Sequence, residues 1–253
     1  MLRSRIIPCL LVHKKGLVKT VNFKDSKYVG DPINAVKIFN EKEVDELIVL
    51  DIDATKEKRG PDFKLIRNLA VECRMPFCYG GGVSTVEQAR KIISLGAEKV
   101  ALSSAIVENP VLCKEIGNAV GVQSVVVVLD VKKRKLLGGY DIYTHNGKVK
   151  SKRKFKEFVA ELNQIGVGEI VVNSIDNDGK MTGYDMELAK LVRELCDTPI
   201  TILGGAGTLD HIKTLITKFK VIGAAAGSLF VFKGKYKAVL INYPNREEKF
   251  PLY

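Results

Sequence analysis

The chain has no tryptophan, three histidines and five cysteines in 253 residues, and each shortage removes a class of function. The histidines (His13, His145, His211) are dispersed, and the cysteines (Cys9, Cys73, Cys78, Cys113, Cys196) form no C-x-x-C pair. No metal-ligand spacing results, so no metal site is expected. An odd, scattered set of cysteines is no disulfide framework and fits a reducing cytoplasm, the expected compartment. No apolar run approaches the ~20 residues that a membrane-spanning helix needs. Ile6–Val12, behind Arg3 and Arg5, mimics a secretion signal, but Pro8 interrupts it and lysines follow. A buried strand is expected there instead. Acidic residues are also short, 29 against 40 lysines and arginines, for a formal charge of +11. Dense basic charge is one mark of nucleic-acid binding. No nucleic-acid motif accompanies it, so we read a solvated surface that faces phosphorylated substrates or acidic partners. The charge concentrates in Lys132–Lys135 and Lys148–Lys156, flanking the stretch YDIYTHNG. A protruding basic hairpin with an acidic docking counterpart is expected.

What is present is regular alternation. Short apolar runs (Ile6–Val12, Leu47–Ile52, Pro76–Tyr79, Val100–Leu102, Ser124–Leu129, Glu169–Val172, Ile200–Leu203, Val221–Ala226) are separated by amphipathic stretches. Runs apolar on both faces indicate parallel strands covered by helices. Helix starts are signalled by Asp31-Pro32, by Ser84 with Glu87 as a capping box, by Asn109-Pro110 and by Thr208. His211 falls on the last of these helices and reads as a surface residue.

The chain also resembles itself. VDELIVLDID at 44–53 is answered by VGEIVVNSID at 167–176, and Gly80-Gly81-Gly82-Val83-Ser84 by Gly204-Gly205-Ala206-Gly207-Thr208. A duplicated unit of four strands and four helices indicates an α/β fold, a single (βα)8 TIM barrel. Residues 1–253 then form one domain, with half-barrels at about 1–120 and 121–243 and a short tail at 244–253. A doubly wound open sheet is the alternative, but it predicts one switch point rather than two glycine clusters.

Barrel enzymes place their chemistry at the carboxyl ends of strands. The glycine clusters fall there, and small residues let backbone amides approach an anion. Gly81, Gly82, Ser103 and Ser104 make one candidate phosphate cradle. Gly179, Gly204, Gly205, Gly227 and Ser228 make the other. Two cradles on opposite sides imply an elongated substrate phosphorylated at both ends.

RIIPCL, Lys19 with Asn22-Phe23, GDP at 30–32, DELIVLDI, YGGGVSTVEQAR, VENP, IVVNSIDNDGKMTGYD, GGAG and AAAGS resemble the cyclase subunit of imidazole glycerol phosphate synthase, the HisF family. The resemblance runs from residue 1 to about 243. It implies a partner glutaminase subunit on the amino-terminal barrel face, whose ammonia crosses the barrel and cleaves a bisphosphorylated ribulosyl intermediate. It implies no cofactor. Two aspartates act as acid and base in that family; one matches Asp130, and the resemblance adds Lys19 and Asp51 to the catalytic set. The other aspartate is Leu11 here, which cannot move a proton. An acid–base partner typically contributes about 10²–10⁴ in rate. Ser103, Asn173, Leu203 and Lys180 are further departures at the same face. Asp51 and Asp53 are the carboxylates available to compensate. At the opposite end, Arg5, Glu46, Lys99 and Glu169 match the family's salt-bridge ring that gates ammonia entry. Paired charges are the tolerable way to place ions inside a barrel.

A kept gate beneath an altered reaction centre resembles the HisF-like branch of surface-polysaccharide pathways. There the subunit works with a glutaminase and an ATP-dependent sugar amidotransferase that converts an acetamido to an acetamidino group. A true cyclase of histidine synthesis is the competing expectation. Neither nucleic acid nor membrane is an expected partner.

Overall fold

The computed structural model describes residues 3–136 and 138–252. The strands are β1 (Arg5–His13), β2 (Gly16–Val21), β3 (Lys24–Gly30), β4 (Leu47–Asp51), β5 (Phe77–Gly80), β6 (Lys99–Leu102), β7 (Val125–Lys133), β8 (Tyr140–Thr144), β9 (Val149–Lys154), β10 (Glu169–Ser174), β11 (Ile200–Leu203) and β12 (Gly223–Ala226), with a short β13 (Phe232–Lys233) and β14 (Ala238–Val239) pair near the end. Each of the eight apolar runs is a barrel strand, with ends that differ by a few residues. β1, β4, β5, β6, β7, β10, β11 and β12 pair in parallel. β1 lies beside both β4 and β12, and β10 pairs with β7, which closes the cylinder. The chain is a (βα)8 barrel, not an open sheet.

Two-residue periodicity explains why the runs are apolar throughout. Ile6, Leu10 and Val12 of β1 join the layer under the helices, with Leu47, Val49, Val127 and Val172. Ile7, Cys9 and Leu11 point the other way, into the interior, with Ile48, Cys78, Ala101, Val126, Val128, Val171, Leu203 and Ala225. Alternate side chains of a strand project to opposite faces, so a strand sheathed by helices and closed into a barrel is apolar on both. Each fully buried Ile, Leu or Phe contributes about 1.5–3 kcal/mol of transfer free energy.

The helices are set by their caps. Asp31 accepts from the Asn34 amide at 2.9 Å to start α1 (Pro32–Glu41), with proline in the first turn. Asp62 starts α2 (Phe63–Glu72) in the same way. The capping box expected at Ser84 and Glu87 lies one residue later. Thr85 and Gln88 form it at the head of α3 (Val86–Ser94), and the Gln88 side chain also receives the Ser84 amide. The N3 position counts from the cap, so a one-residue shift of the helix start moves the whole box. Asn109 does not cap either. Following the short α4 (Ser104–Glu108), Pro110 itself holds the cap position of α5 (Val111–Val120), without a side-chain bond. Next come α6 (Phe155–Ile165), α7 (Met186–Leu195) capped by Asp185, and α8 (Leu209–Phe219) capped by Thr208. His211 is not a free surface group: its Nδ1 accepts the Gly207 amide at 3.1 Å.

Two additions lie outside the barrel proper. β7 runs past the barrel's carboxyl end and carries β8 and β9 as an antiparallel extension. The basic segment is therefore not simply a protruding hairpin. Its turn at 145–147 folds back over the barrel mouth, where the Asn146 side chain donates to the Ile52 carbonyl at 2.7 Å. At the other end, following α9 (Ser228–Val231) and before α10 (Arg246–Lys249), Tyr243 donates to the Ile6 carbonyl at 2.8 Å and accepts from the Asp45 amide. Lys249 pairs with Asp45 at 3.1 Å. The tail thus straps the amino ends of β1 and β4, next to Arg5 and Glu46.

Candidate functional site

A cavity of about 490 Å³ opens at the carboxyl ends of the barrel strands and brings both glycine clusters to one site. Gly81, Gly82, Ser103 and Ser104 line one side, and Gly179, Gly204, Gly205, Gly227 and Ser228 the other. The glycines are sterically required: at Gly81 (φ +119°) a Cβ would collide with the backbone and Cβ of Asp51, and at Gly205 (φ +107°) with the Gly183 carbonyl. Lys19, Asp51, Asp130 and Leu11 border the same space.

Strand register sets the reacting level. Asn173 of β10 lies beside Asp130 of β7, and Leu11 of β1 beside Leu50 of β4. β1 and β7 are four strands apart in the ring of eight, so Leu11 and Asp130 face each other across the mouth. Asn173 donates from Nδ2 to Asp130 at 2.9 Å. Burial pushes the Asp130 carboxyl up to about 7; the Asn173 hydrogen bond opposes this and the Asp178 charge adds to it. A carboxyl titrating near neutrality can both give and take a proton. The Asn173 Oδ1 is buried and has no hydrogen-bond partner.

Lys19 reaches the site from β2, because the β2–β3 turn is stapled to the loop after β10. Asn22 donates to the carbonyls of Ile175 and Asp176 at 2.9 and 3.0 Å, and its amide bonds the Asp178 carbonyl. Buried against Gly227, the Lys19 ammonium donates to the Cys9 carbonyl, and desolvation lowers its pKa. Asp178 is the residue that sequence reasoning did not single out. It lines the cavity, accepts from the Thr20 hydroxyl at 2.8 Å and the Phe23 amide at 3.3 Å, and has its carboxyl raised by burial. Its only signal in the sequence was its place in the NDG turn after a barrel strand. His145 and Asn146 were missed too; they reach the cavity only because β8 and β9 fold over it.

The two carboxylates considered as replacements for the missing acid are both engaged. Arg59 grips Asp51 at 2.8 and 3.0 Å, and the amides of Asp53 and Ala54 bond the same carboxylate. Asp53 turns away to His13, at 2.8 Å, and the Lys14 amide, in a separate pocket. Burial would raise Asp53, but these two bonds hold it below the usual carboxylate range. Lys180, among the departures noted, is an exposed turn residue and does not border the cavity.

At the amino end of the barrel, Arg5, Glu46, Lys99 and Glu169 form a closed ring. Arg5 pairs with Glu46 and, at 2.8 Å, with Glu169; Lys99 pairs with Glu46 at 2.7 Å and Glu169 at 2.8 Å. The Thr201 hydroxyl donates to Glu169. Burial alone would raise Glu169, yet Arg5 and Lys99 hold it at about 2, so its carboxylate stays ionised between the two cations. Between ring and mouth, among the described residues, lies the apolar interior layer.

The comparisons agree with this architecture. Residues 5–237 match the model of the family described as histidine biosynthesis protein. A Vibrio vulnificus protein named putative imidazole glycerol phosphate synthase subunit hisF3 is 58% identical over 249 residues, covering 98% of this chain and 96% of that one. A Leptospira borgpetersenii protein named putative imidazole glycerol phosphate synthase subunit HisF is 53% identical over 253 residues, the whole of both chains. A Pseudomonas aeruginosa protein named putative imidazole glycerol phosphate synthase subunit hisF2 is 49% identical over 245 residues, 97% of each. With a closed barrel, a mouth lined by twin glycine clusters and near-complete coverage by HisF-named relatives, the chain belongs to the HisF family of histidine biosynthesis proteins.

Proposed function

We propose that this HisF-type subunit conducts ammonia within a glutamine amidotransferase complex and does not complete the cyclase reaction. A glutaminase docks at the amino-terminal face, over the Arg5–Glu46–Lys99–Glu169 ring, and its ammonia crosses the apolar interior. The consumer at the mouth is an ATP-dependent sugar amidotransferase making an acetamidino group for a surface polysaccharide. The observation that carries this reading is that Asp130 faces Leu11 across the mouth. The substitute carboxylates Asp51 and Asp53 are held by Arg59 and His13. A proton-transfer pair has lost one member, while the charged entry ring below is complete.

A second reading has one observation in its favour. Asp178 is a half-buried carboxyl with a raised pKa on the cavity wall, close to Lys19. With Asp130 it would supply a pair for cyclisation, and the two glycine clusters would hold a bisphosphorylated substrate. The test is direct: the bisphosphorylated ribulosyl intermediate and ammonium chloride are mixed with the purified chain. The expected result is no cyclised product above the uncatalysed background. Sustained turnover that Asp178→Asn abolishes would establish the cyclase and sink the conducting role.

A further inference from the structure

We propose that Asp130 and Asn173 form a holding site for ammonia or ammonium at the outlet of the barrel interior, an inference that rests on the conducting role above. Asn173 is 5% exposed, borders the cavity and presents a buried Oδ1 that accepts nothing. Gly204 stands directly against this oxygen; a Cβ there would lie 3.0 Å from it. A buried acceptor without a donor costs about 1–3 kcal/mol, so the site asks for an N–H or O–H group. Leu203 flanks Asn173 in register, Leu11, Leu50 and Val128 border the same cavity, and the layer beneath is apolar.

Ammonia fits these demands from below. It carries three N–H bonds and is small enough for an interior lined by Cys9, Cys78, Ala101 and Ala225. One N–H meets Asn173 Oδ1 and another the Asp130 carboxylate. Asn173 already ties these two groups together through its 2.9 Å hydrogen bond. When Asp130 is protonated, its O–H bond breaks as an N–H bond forms, leaving carboxylate and ammonium. The reverse transfer releases neutral ammonia to the mouth. Asp130 titrates near neutrality through burial, so neither state is locked in. Cys9 on β1 and Asp178 after β10 act on it electrostatically, Tyr143 of β8 is its register partner, and Lys19, Asp51, Lys58, Glu108 and His145 border the same cavity. In this arrangement Asn173 and Leu203 shape a waiting place, and Leu11 removes the group that would drive chemistry there.

The site is tested on the isolated chain by following the Asp130 carboxyl by carbon-13 NMR, assigned with Asp130→Asn. Ammonium chloride is the probe; potassium and tetramethylammonium chloride at equal ionic strength are controls. Saturating ammonium is expected to lower the Asp130 midpoint by about one unit, a tenfold preference for the ionised form. It should also raise the thermal midpoint. Both effects should vanish in Asn173→Leu. Size selectivity in the unaltered protein serves as the check that needs no variant: methylammonium should act weakly and tetramethylammonium not at all. An equal response to potassium, or an ammonium response that survives Asn173→Leu, overturns the site. Ammonia transfer from a glutaminase is measured separately. An ammonium response without transfer removes the conducting role and leaves the site, and transfer without a response removes the site.

Discussion

At the scale of single residues, the barrel mouth holds a charge at a cost. The Asp130 carboxyl is raised from 3.8 to about 7 by burial, so the native state binds this proton more tightly than the unfolded chain does. Stability on this account is complete below pH 3.8 and is lost as pH rises through 7; the shift corresponds to at most about 4 kcal/mol. Asp130→Asn should therefore stabilise the protein at pH 8, by about 1–4 kcal/mol, and change little at pH 4, as read from denaturant midpoints at the two pH values. Equal effects at both would mean that Asp130 is not desolvated. Much at this scale was legible. Leu11 and Asp130 stood out because each occupies a position with a known chemical demand. The fate of Asp51 was not legible, because the arginine that grips it, Arg59, is eight residues away in a loop whose path only folding decides.

The elements that vary around the barrel determine what surrounds the mouth. The four helix starts read from the sequence fell within about a residue, since capping depends on local spacing. The β8–β9 extension was readable as a basic hairpin, but its fold over the mouth was not. Residues 132–156 carry ten lysines and arginines against Asp141 alone, a net +9 of the chain's +11. Lys135, Lys148, Lys152 and Lys156 make no ion pair among the described residues. The same extension brings His145 and Asn146 over the cavity. The Asn146 hydrogen bond to Ile52 ties this turn to the far side of the mouth. A typical net hydrogen bond is worth about 1 kcal/mol. Asn146→Ala should thus speed hydrogen exchange of the 144–148 amides about fivefold, leaving the global unfolding midpoint nearly unchanged. Unaltered exchange would show that the turn is held by packing against Phe23 instead.

For the molecule as a whole, the ion ring ties acid stability to the entry of the barrel. The Glu169 carboxyl is depressed from 4.5 to about 2 by Arg5 and Lys99, against its burial. Its contribution is therefore present above pH 4.5 and lost as pH falls through 2, about 3 kcal/mol over that window. Glu169→Gln should flatten the acid limb of stability between pH 2.5 and 5, measured by urea unfolding. It should also destabilise the protein at neutral pH by about 3–5 kcal/mol, because Arg5 and Lys99 each lose a partner. An acid limb as steep as in the unaltered protein would mean that Glu169 is not held in the ring. By itself the sequence determined the eight strands, their helical sheath, the closed barrel and the end of it at which the two glycine clusters gather. Periodicity, caps and glycines act over short distances and recur in order along the chain. Only the tertiary structure decided that Asp51 and Asp53 are occupied, that Asp178 joins the mouth, that a basic flap roofs it and that Asn173 keeps one oxygen unsatisfied. Each of these depends on which groups the loops and strands bring together in a water-poor interior, where a single partner gained or lost sets both the charge and the hydrogen-bonding demand.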